Sequence, residues 1–400
     1  MGTHIADPSG PRMSTHGSQP RRLQALDAAR GAAMLFVCIS HFGWVYFGRL
    51  PEHEFEMALL QRVGMVASPT FIMISGVLLG FLARTRPLEF AALRTKLVDR
   101  GLFMLTIGHV VIAVAHAPVA GGIGPAFEWG FITDVIAVGL MIGPWLVTRV
   151  PPGSRLVLAG AAYVLTWITV ALWQPESPAL ERAKEYLLGP SHFLDGGNPR
   201  LVFECFPLVP WLAVYVAATV LGEYLGRRSA AGRGAETIPI LVRVAVGCML
   251  GGLVVKGVPF VLKISALAPT TVLVWTLGWP FQKQPPSPAY LGVYAAFGLL
   301  LVCGLFALDA RSALRSWIAV LATLGRASLA VFLVQYYLYF TLLAWWNPDY
   351  SAFWPLLLLG SLTVVVGVGL LWGRIGNNDL FSVGYRRLAA VSSTAASARF

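Results

Sequence analysis

Charge is what this sequence has least of. Only 12% of its residues are Asp, Glu, Lys or Arg, about half the ~25% found in a soluble globular domain. A water-facing surface over 400 residues cannot be built from so few charges, which excludes an ordinary soluble fold. Cysteine is also sparse. Cys38, Cys205, Cys248 and Cys303 are scattered with no C-x-x-C pair. Three lie inside apolar runs and Cys205 just before one, the placement of small apolar core residues rather than of a disulfide or metal framework. The 7 His are dispersed and no H-E-x-x-H motif occurs, so no metal is expected. Residues 1–22 lack the apolar run of a cleavable signal peptide. They are polar and rich in Gly, Pro and Ser, and read as a disordered cytoplasmic tail. No repeat of fixed period is visible either, so inverted-repeat transporter architecture lacks its usual mark.

What is abundant is apolar surface. Hydrophobic residues make up 56% of the chain, and 13 Trp, 12 Tyr and 22 Phe are available for aromatic belts at two membrane interfaces. A membrane-crossing helix needs about 20 mostly apolar residues. On that measure about ten spans are predicted: roughly 26–47, 65–83, 97–115, 127–147, 156–173, 206–225, 238–255, 290–308, 317–345 and 353–372. The fold class is therefore an all-α polytopic membrane protein. Residues 174–204 are too polar to span and are expected to form an extracytoplasmic cap. Residues 267–281 are apolar but short and carry Pro269 and Pro280, which suits a re-entrant or interfacial segment.

The net charge of +11 (30 basic against 19 acidic residues) would suggest nucleic acid in a soluble protein. Here the basic residues sit in short loops between apolar runs, as membrane orientation requires, so no nucleic-acid partner is expected. With a cytoplasmic amino terminus, the inside loops carry Arg84, Arg86, Arg94, Lys96 and Arg100, then Arg149 and Arg155, then Arg227, Arg228, Arg233 and Arg243. If 267–281 does not cross, Arg311, Arg315, Arg374, Arg386 and Arg387 are inside as well. Both termini are then cytoplasmic. The chain divides into a tail (1–22), a membrane domain (23–375) and a second tail (376–400). A bacterial-type inner (cytoplasmic) membrane is the expected location and the lipid bilayer the constant partner. The oligomeric state is open, a homodimer being one arrangement the sequence allows.

Ionisable residues inside spans are costly, so each is a functional candidate. The first span holds Asp27, Arg30 and His41. Asp27 and Arg30, three apart, share a helix face and can pair. Arg30 and His41 are eleven residues apart, close to three turns and about 16 Å along the axis. One helix face thus runs from a cation near the cytoplasm to a histidine in the outer half of the bilayer. That histidine is either a hydrogen-bonded core residue or a working base. In the fourth span Asp134 stands among apolar residues and needs a partner. His41 is one candidate, an arginine or water another, and a His–Asp pair would fix the imidazole tautomer as a general base requires. His109 and His116 of the third span read as structural, and Glu128 as interfacial. Arg326, Ser328, Gln335 and Tyr336 interrupt the ninth span at two depths. The loop from Arg84 to Arg100 carries five cations within 17 residues. It is topogenic charge, or a site for the phosphates of an anionic cytosolic ligand.

Leu26-Asp27-Ala28-Ala29-Arg30-Gly31-Ala32-Ala33-Met34, followed by His41, resembles the opening helix of the transmembrane acyltransferases. That superfamily includes acyltransferase-3 enzymes and heparan-α-glucosaminide N-acetyltransferases, and the former carry an Arg, ten residues, then a His. Further stretches are similar in order: Phe71-Ile72-Met73-Ile74-Ser75-Gly76, Phe206-Pro207-Leu208-Val209-Pro210-Trp211-Leu212, Lys283-Gln284-Pro285-Pro286-Ser287-Pro288 and Leu324-Gly325-Arg326-Ala327-Ser328-Leu329. The resemblance runs over about residues 23–345.

The resemblance implies transfer of an acyl group, commonly acetyl, from a cytosolic acyl-CoA co-substrate to a hydroxyl or amine of a sugar or other acceptor. It makes His41 the catalytic base and turns Arg30 and Arg100 toward the donor. From the residues themselves come Asp134 as the partner that would orient the imidazole, Arg94, Lys96 and Arg326 as further donor-binding candidates, and Asp27, Ser75 and Gln335 as pocket residues. Two departures stand out. The R-x-x-R of acyltransferase-3 enzymes is absent in clean form, and many relatives carry His where Gln335 stands. Lysosomal members place their key histidine about a dozen residues beyond an Asn at the end of helix one, which makes His53 a rival to His41. A secondary transporter or small-molecule exporter is the alternative function that ten spans and buried ionisable groups also suit.

Overall fold

Leucine, valine and alanine runs of this length can satisfy their backbone in lipid only as helices, because each peptide N–H and C=O must be bonded within its own segment. The computed structural model follows that rule. It describes residues 21–193, 199–200, 206–233, 236–264, 283–309, 312–346, 348–376 and 380–385. Among these, 10 helical stretches are long and apolar enough to cross a membrane. The segment 267–281, expected to be re-entrant or interfacial, lies outside the described residues, as do 1–20 and 386–400.

In chain order the helices are α1 (Arg21–Phe47), α2 (Glu54–Gly64), α3 (Ala67–Thr85), α4 (Phe90–Phe103), α5 (His109–Ala120) and α6 (Ile123–Glu128). They continue as α7 (Ile132–Arg149), α8 (Pro152–Leu172), α9 (Pro178–Leu187), α10 (Leu208–Ala230) and α11 (Thr237–Ile264). The last are α12 (Ala296–Asp309), α13 (Arg315–Arg326), α14 (Ser328–Tyr336) and α15 (Trp354–Ile375). Two π-helical stretches matter below. Met104–Gly108 joins α4 to α5, and Tyr337–Leu343 prolongs α14. Such widened turns are rare and often stand at functional sites.

Helix α1 is the centre of the bundle. Ala25, Ala28, Ala29, Ala33, Met34, Cys38 and Phe42 are all buried on it. Small residues let its neighbours come close, the usual device where no hydrophobic effect separates helix from lipid. At the crossing with α13, a Cβ on Gly31 would lie 2.0 Å from the carbonyl oxygen of Leu321, and one on Gly325 1.8 Å from that of Asp27. Both positions must be glycine for the two backbones to touch. Helices α3 and α10 pack in the same way through Gly80 and Gly222.

One predicted span is corrected. The run 317–345 is not a single helix but breaks at Ala327. The stretch before it, α13, carries Arg315 and Arg326 at its two ends and packs on α1. The membrane span proper starts at Ser328 and runs to Trp346. Hydropathy alone joined them because Leu324 and Leu329 are apolar on both sides of the break.

The expected cap contains α9 and a short antiparallel pair, His192–Phe193 with Pro199–Arg200. Lys184 fastens it. Its buried ammonium donates to the carbonyls of Val170 and Ser191 at 3.2 and 2.9 Å, and to that of Trp173, so the last turn of α8 is tied to the end of the cap helix. The Pro-Pro-Ser-Pro stretch is a helix start. Ser287 Oγ accepts the N–H of Tyr290 at 3.1 Å, while Tyr163 donates to the carbonyl of Pro286 at 2.7 Å.

Candidate active site

Positions 30, 34, 37 and 41 of α1 follow the spacing i, i+4, i+7, i+11, one stripe of the helix. Arg30, Met34 and Val37 line a cavity of about 220 Å³. His41 is the next residue on the same stripe, one turn beyond Val37. The cavity is bounded by α1, α3, α4, α7 and α14. Its walls are mostly Leu, Ile, Met and Phe, with polar groups at Ser75, Thr133 and Ser328, and two cations, Arg30 and Arg100. Among the described residues none that lines it is acidic. Both guanidinium-bearing residues line this one cavity. Two like charges facing one apolar space attract an anion strongly, because low dielectric magnifies their pull.

The predicted donor residues separate here. Arg30 and Arg100 reach the cavity, as does Ser75. Arg94 does not: its guanidinium lies over the ring of Trp145, 4.3 Å from the centroid, with Arg149 at 4.6 Å from the same centroid. Lys96 is exposed and is not a lining residue. Arg326 stands 4.0 Å from Asp27 and donates to Thr323 Oγ1 at 3.0 Å. Asp27 thus meets Arg326 across the α1–α13 crossing while still interacting with Arg30 of its own helix, which also lines the cavity.

His41 meets a different partner from the one expected. Its Nδ1 is 2.7 Å from Oε1 of Gln335 on α14, and its ring packs edge-on against Tyr336 and Phe340, with centroids 5.4 and 4.8 Å away. With Gln335 Oε1 as the acceptor, Nδ1 carries the proton and Nε2 keeps its lone pair. That is the tautomer of a base.

Asp134 pairs instead with His109. Its Oδ1 and Oδ2 lie 3.1 and 3.2 Å from His109 Nδ1, and Oδ2 also accepts the N–H of Phe131 at 2.9 Å. The reason for the correction is the start of α7. With the helix beginning at Ile132 rather than near residue 127, Asp134 is in the first turn and caps it, where a carboxylate is favoured. Nε2 of His109 faces the carbonyl of Phe127 at 3.1 Å. Both ring nitrogens of His109 thus face acceptors, and the pair locks the bend from α5 through α6 into α7.

His53 sits in a single 3-10 turn after α1. It is 3.4 Å from Glu56 Oε1 and stacked on Tyr350 at 3.8 Å, and it is not part of the cavity wall. His116 is fully enclosed by Trp44, Trp129, Phe131, Tyr336 and Phe340. Neither of its nitrogens has a hydrogen-bond partner among the described residues. Glu128 is held by Arg182 of the cap helix at 2.7 Å. Among the described residues no three of His, Cys, Asp and Glu converge as metal ligands would.

Sequence reasoning missed Thr133. It lines the cavity with a buried hydroxyl that bonds to nothing among the described residues. Threonine in an apolar span is unremarkable by type; only its place in the first turn of α7, beside the cavity, marks it.

A family model for the acyltransferase domain of the acyltransferase-3 enzymes matches residues 23–373. The chain belongs to the acyltransferase-3 family. No curated protein and no solved structure matches it. The acyltransferase is thus a multi-pass helical membrane enzyme, and the matched region takes in all 10 spans except the last residues of α15.

Proposed function

We propose that this acyltransferase takes an acyl group, acetyl by the family resemblance, from a cytosolic acyl-CoA. It passes the group to a hydroxyl or amine of a sugar or other acceptor, across or at the outer side of an inner membrane. The observation that carries the reading is the α1 stripe: Arg30, with Arg100 beside it, faces an apolar cavity, and His41 follows one turn past Val37. A CoA thioester is a polyanion joined to a long, weakly polar arm. Its phosphates suit the guanidinium end, since arginine binds phosphate through a planar fork of donors. The arm suits the apolar walls, and the thioester is delivered toward His41. The charge distribution of the loops, with Arg84, Arg86, Arg94 and Lys96 on the Arg100 side, favours placing that end in the cytosol.

The chemistry at His41 follows from its tautomer. Nε2 accepts the proton of the acceptor hydroxyl or amine as that atom attacks the thioester carbonyl. Gln335 keeps the ring from rotating and leaves the imidazole neutral until then. A neutral amide performs the orienting task that a carboxylate performs in the Ser-His-Asp arrangement.

The test is direct. Purified enzyme in detergent is mixed with acetyl-CoA, and free CoA thiol is followed with and without candidate sugar acceptors. His41→Ala should slow thiol release by about 10²- to 10⁴-fold, the usual worth of a general base, while His53→Ala should not. Wild-type rates in His41→Ala would overturn the assignment. Transport of a small molecule without thioester consumption would replace it with the exporter reading.

A further inference from the structure

The mechanism above leaves one charge without a home. When the acceptor attacks, the π electrons of the thioester C=O move onto its oxygen, and nothing said so far stabilises that oxygen. The first turn of α7 is built to do so. Ile132 and Thr133 both line the cavity, and their N–H groups belong to the first turn of an 18-residue helix, where no earlier carbonyl of the same helix can accept them. The partial positive charge of the helix start is concentrated there. Independently, the Thr133 side chain is only 4% exposed, and its Oγ1 has no hydrogen-bond partner among the described residues. A buried hydroxyl left unmade is costly, and Thr133 is itself a residue of the cavity wall.

The placement agrees with that of the base. The cavity wall includes Val37, one turn before His41, and Phe332, three residues before Gln335. Phe131, the residue just before α7, packs against Tyr336 at 5.7 Å, and Tyr336 packs against His41 at 5.4 Å. Tyr336 thus links the start of α7 to His41 through two ring contacts. Asp134, which would repel an oxyanion, is occupied. Its carboxylate accepts from Phe131 N–H and faces Nδ1 of His109.

We propose that the Thr133 hydroxyl and the N–H groups of Ile132 and Thr133 form an oxyanion hole for the thioester carbonyl. This rests on the acyl-transfer reading given above. As the acceptor oxygen bonds to the carbonyl carbon, its proton goes to His41 Nε2 and the carbonyl electron pair goes to the oxygen held at α7. The pair then returns, the C–S bond breaks, and the departing thiolate takes the proton from His41. Ester and free CoA thiol result, or acetate and thiol when water is the acceptor.

Acetyl-CoA hydrolysis by the purified enzyme tests this without knowing the acceptor. Thr133→Val keeps the shape and removes the hydroxyl; Thr133→Ser keeps the hydroxyl. Loss of one oxyanion-hole donor costs about 10²- to 10³-fold in kcat. Thr133→Val should show a fall of that order, with the KM for acetyl-CoA and the thermal midpoint unchanged, and Thr133→Ser should recover most of the rate. Unchanged kcat in Thr133→Val, or a fall that Thr133→Ser does not recover, would overturn the oxyanion role. That result would leave the acyl-transfer reading standing if His41→Ala is still inactive. Equilibrium binding of acetyl-CoA is measured alongside. A wild-type enzyme that neither binds nor hydrolyses it would overturn the reading and the inference together.

Discussion

Nδ1 of His41 and Oε1 of Gln335, 294 positions apart in the chain, meet at 2.7 Å. The contact joins the first helix to the ninth span and sets which nitrogen of the base is free. Gln335 is fully buried. Replacing it with Leu removes the acceptor and leaves the ring free to turn or change tautomer. A hydrogen bond of this kind is worth roughly 1–3 kcal/mol, or about 5- to 150-fold in rate. Gln335→Leu should lower kcat for acetyl-CoA hydrolysis by that factor and leave the donor's KM near wild type. Steady-state kinetics on the purified variant checks this.

The cavity separates cations that the sequence groups together. Arg100 lines it, whereas Arg94 lies over Trp145. Arg100→Gln should raise the KM for acetyl-CoA by about 10-fold or more, the worth of one charge-assisted contact. Arg94→Gln should leave KM within about twofold, since its cation–π contact is worth only ~0.5–1 kcal/mol at an exposed site. Equal effects from the two substitutions would contradict the assignment of the donor end.

Asp134 and His109 form a structural pair, not part of the base. Asp134→Asn and His109→Phe should each lower the thermal midpoint, and the double variant should cost less than the sum. The expected coupling is about 1–3 kcal/mol, typical of residues in one buried network. The measurement is a double-mutant cycle on stability in detergent. Strict additivity would mean that the two do not interact.

Lys283 gives a pH signature. Burial pushes its ammonium down to about 8, and its Nζ lies 4.9 Å from the centre of the Phe206 ring. A lysine lowered on folding binds its proton more tightly in the unfolded chain. Below about pH 8 both states are charged and the full burial penalty is present. Between about 8 and the ordinary lysine value of 10.5 the unfolded state holds more protons, so this residue's contribution to stability improves as pH rises. Lys283→Met should therefore be stabilised relative to wild type at pH 7, with the advantage shrinking by pH 9.5. Thermal midpoints at the two pH values, compared between the two proteins, decide it.

Much of the architecture could be read from the chain because lipid leaves few choices. An apolar stretch such as 353–372 has no alternative to a helix, and the observed α15 covers it. The α1 stripe was also legible, since Arg30 and His41 belong to one helix and their relation follows from its pitch. Contacts between helices were not. Nothing local says that His41 meets Gln335 rather than Asp134, because that depends on which faces of α1, α7 and α14 pack together. Asp134 misled for a further reason. Phe127, Trp129 and Phe131 extend the apolar signal ahead of the true start of α7, so a first-turn capping carboxylate looked like a lone charge deep in a span. The break at Ala327 was hidden in the same way, and Thr133 had no signal of its own until the cavity gave it one.

The Arg30–His41 stripe has a consequence for how this first helix can vary. Inside the bundle, α1 works as a ruler whose unit is the peptide rise. One residue inserted between the two would move the histidine about 1.5 Å along the axis and swing it about 100° around it. Every side chain would still be present, yet His41 would leave Gln335 and no longer continue the cavity wall. Substitutions among residues 31–40 can be tolerated wherever packing allows, but their number is fixed.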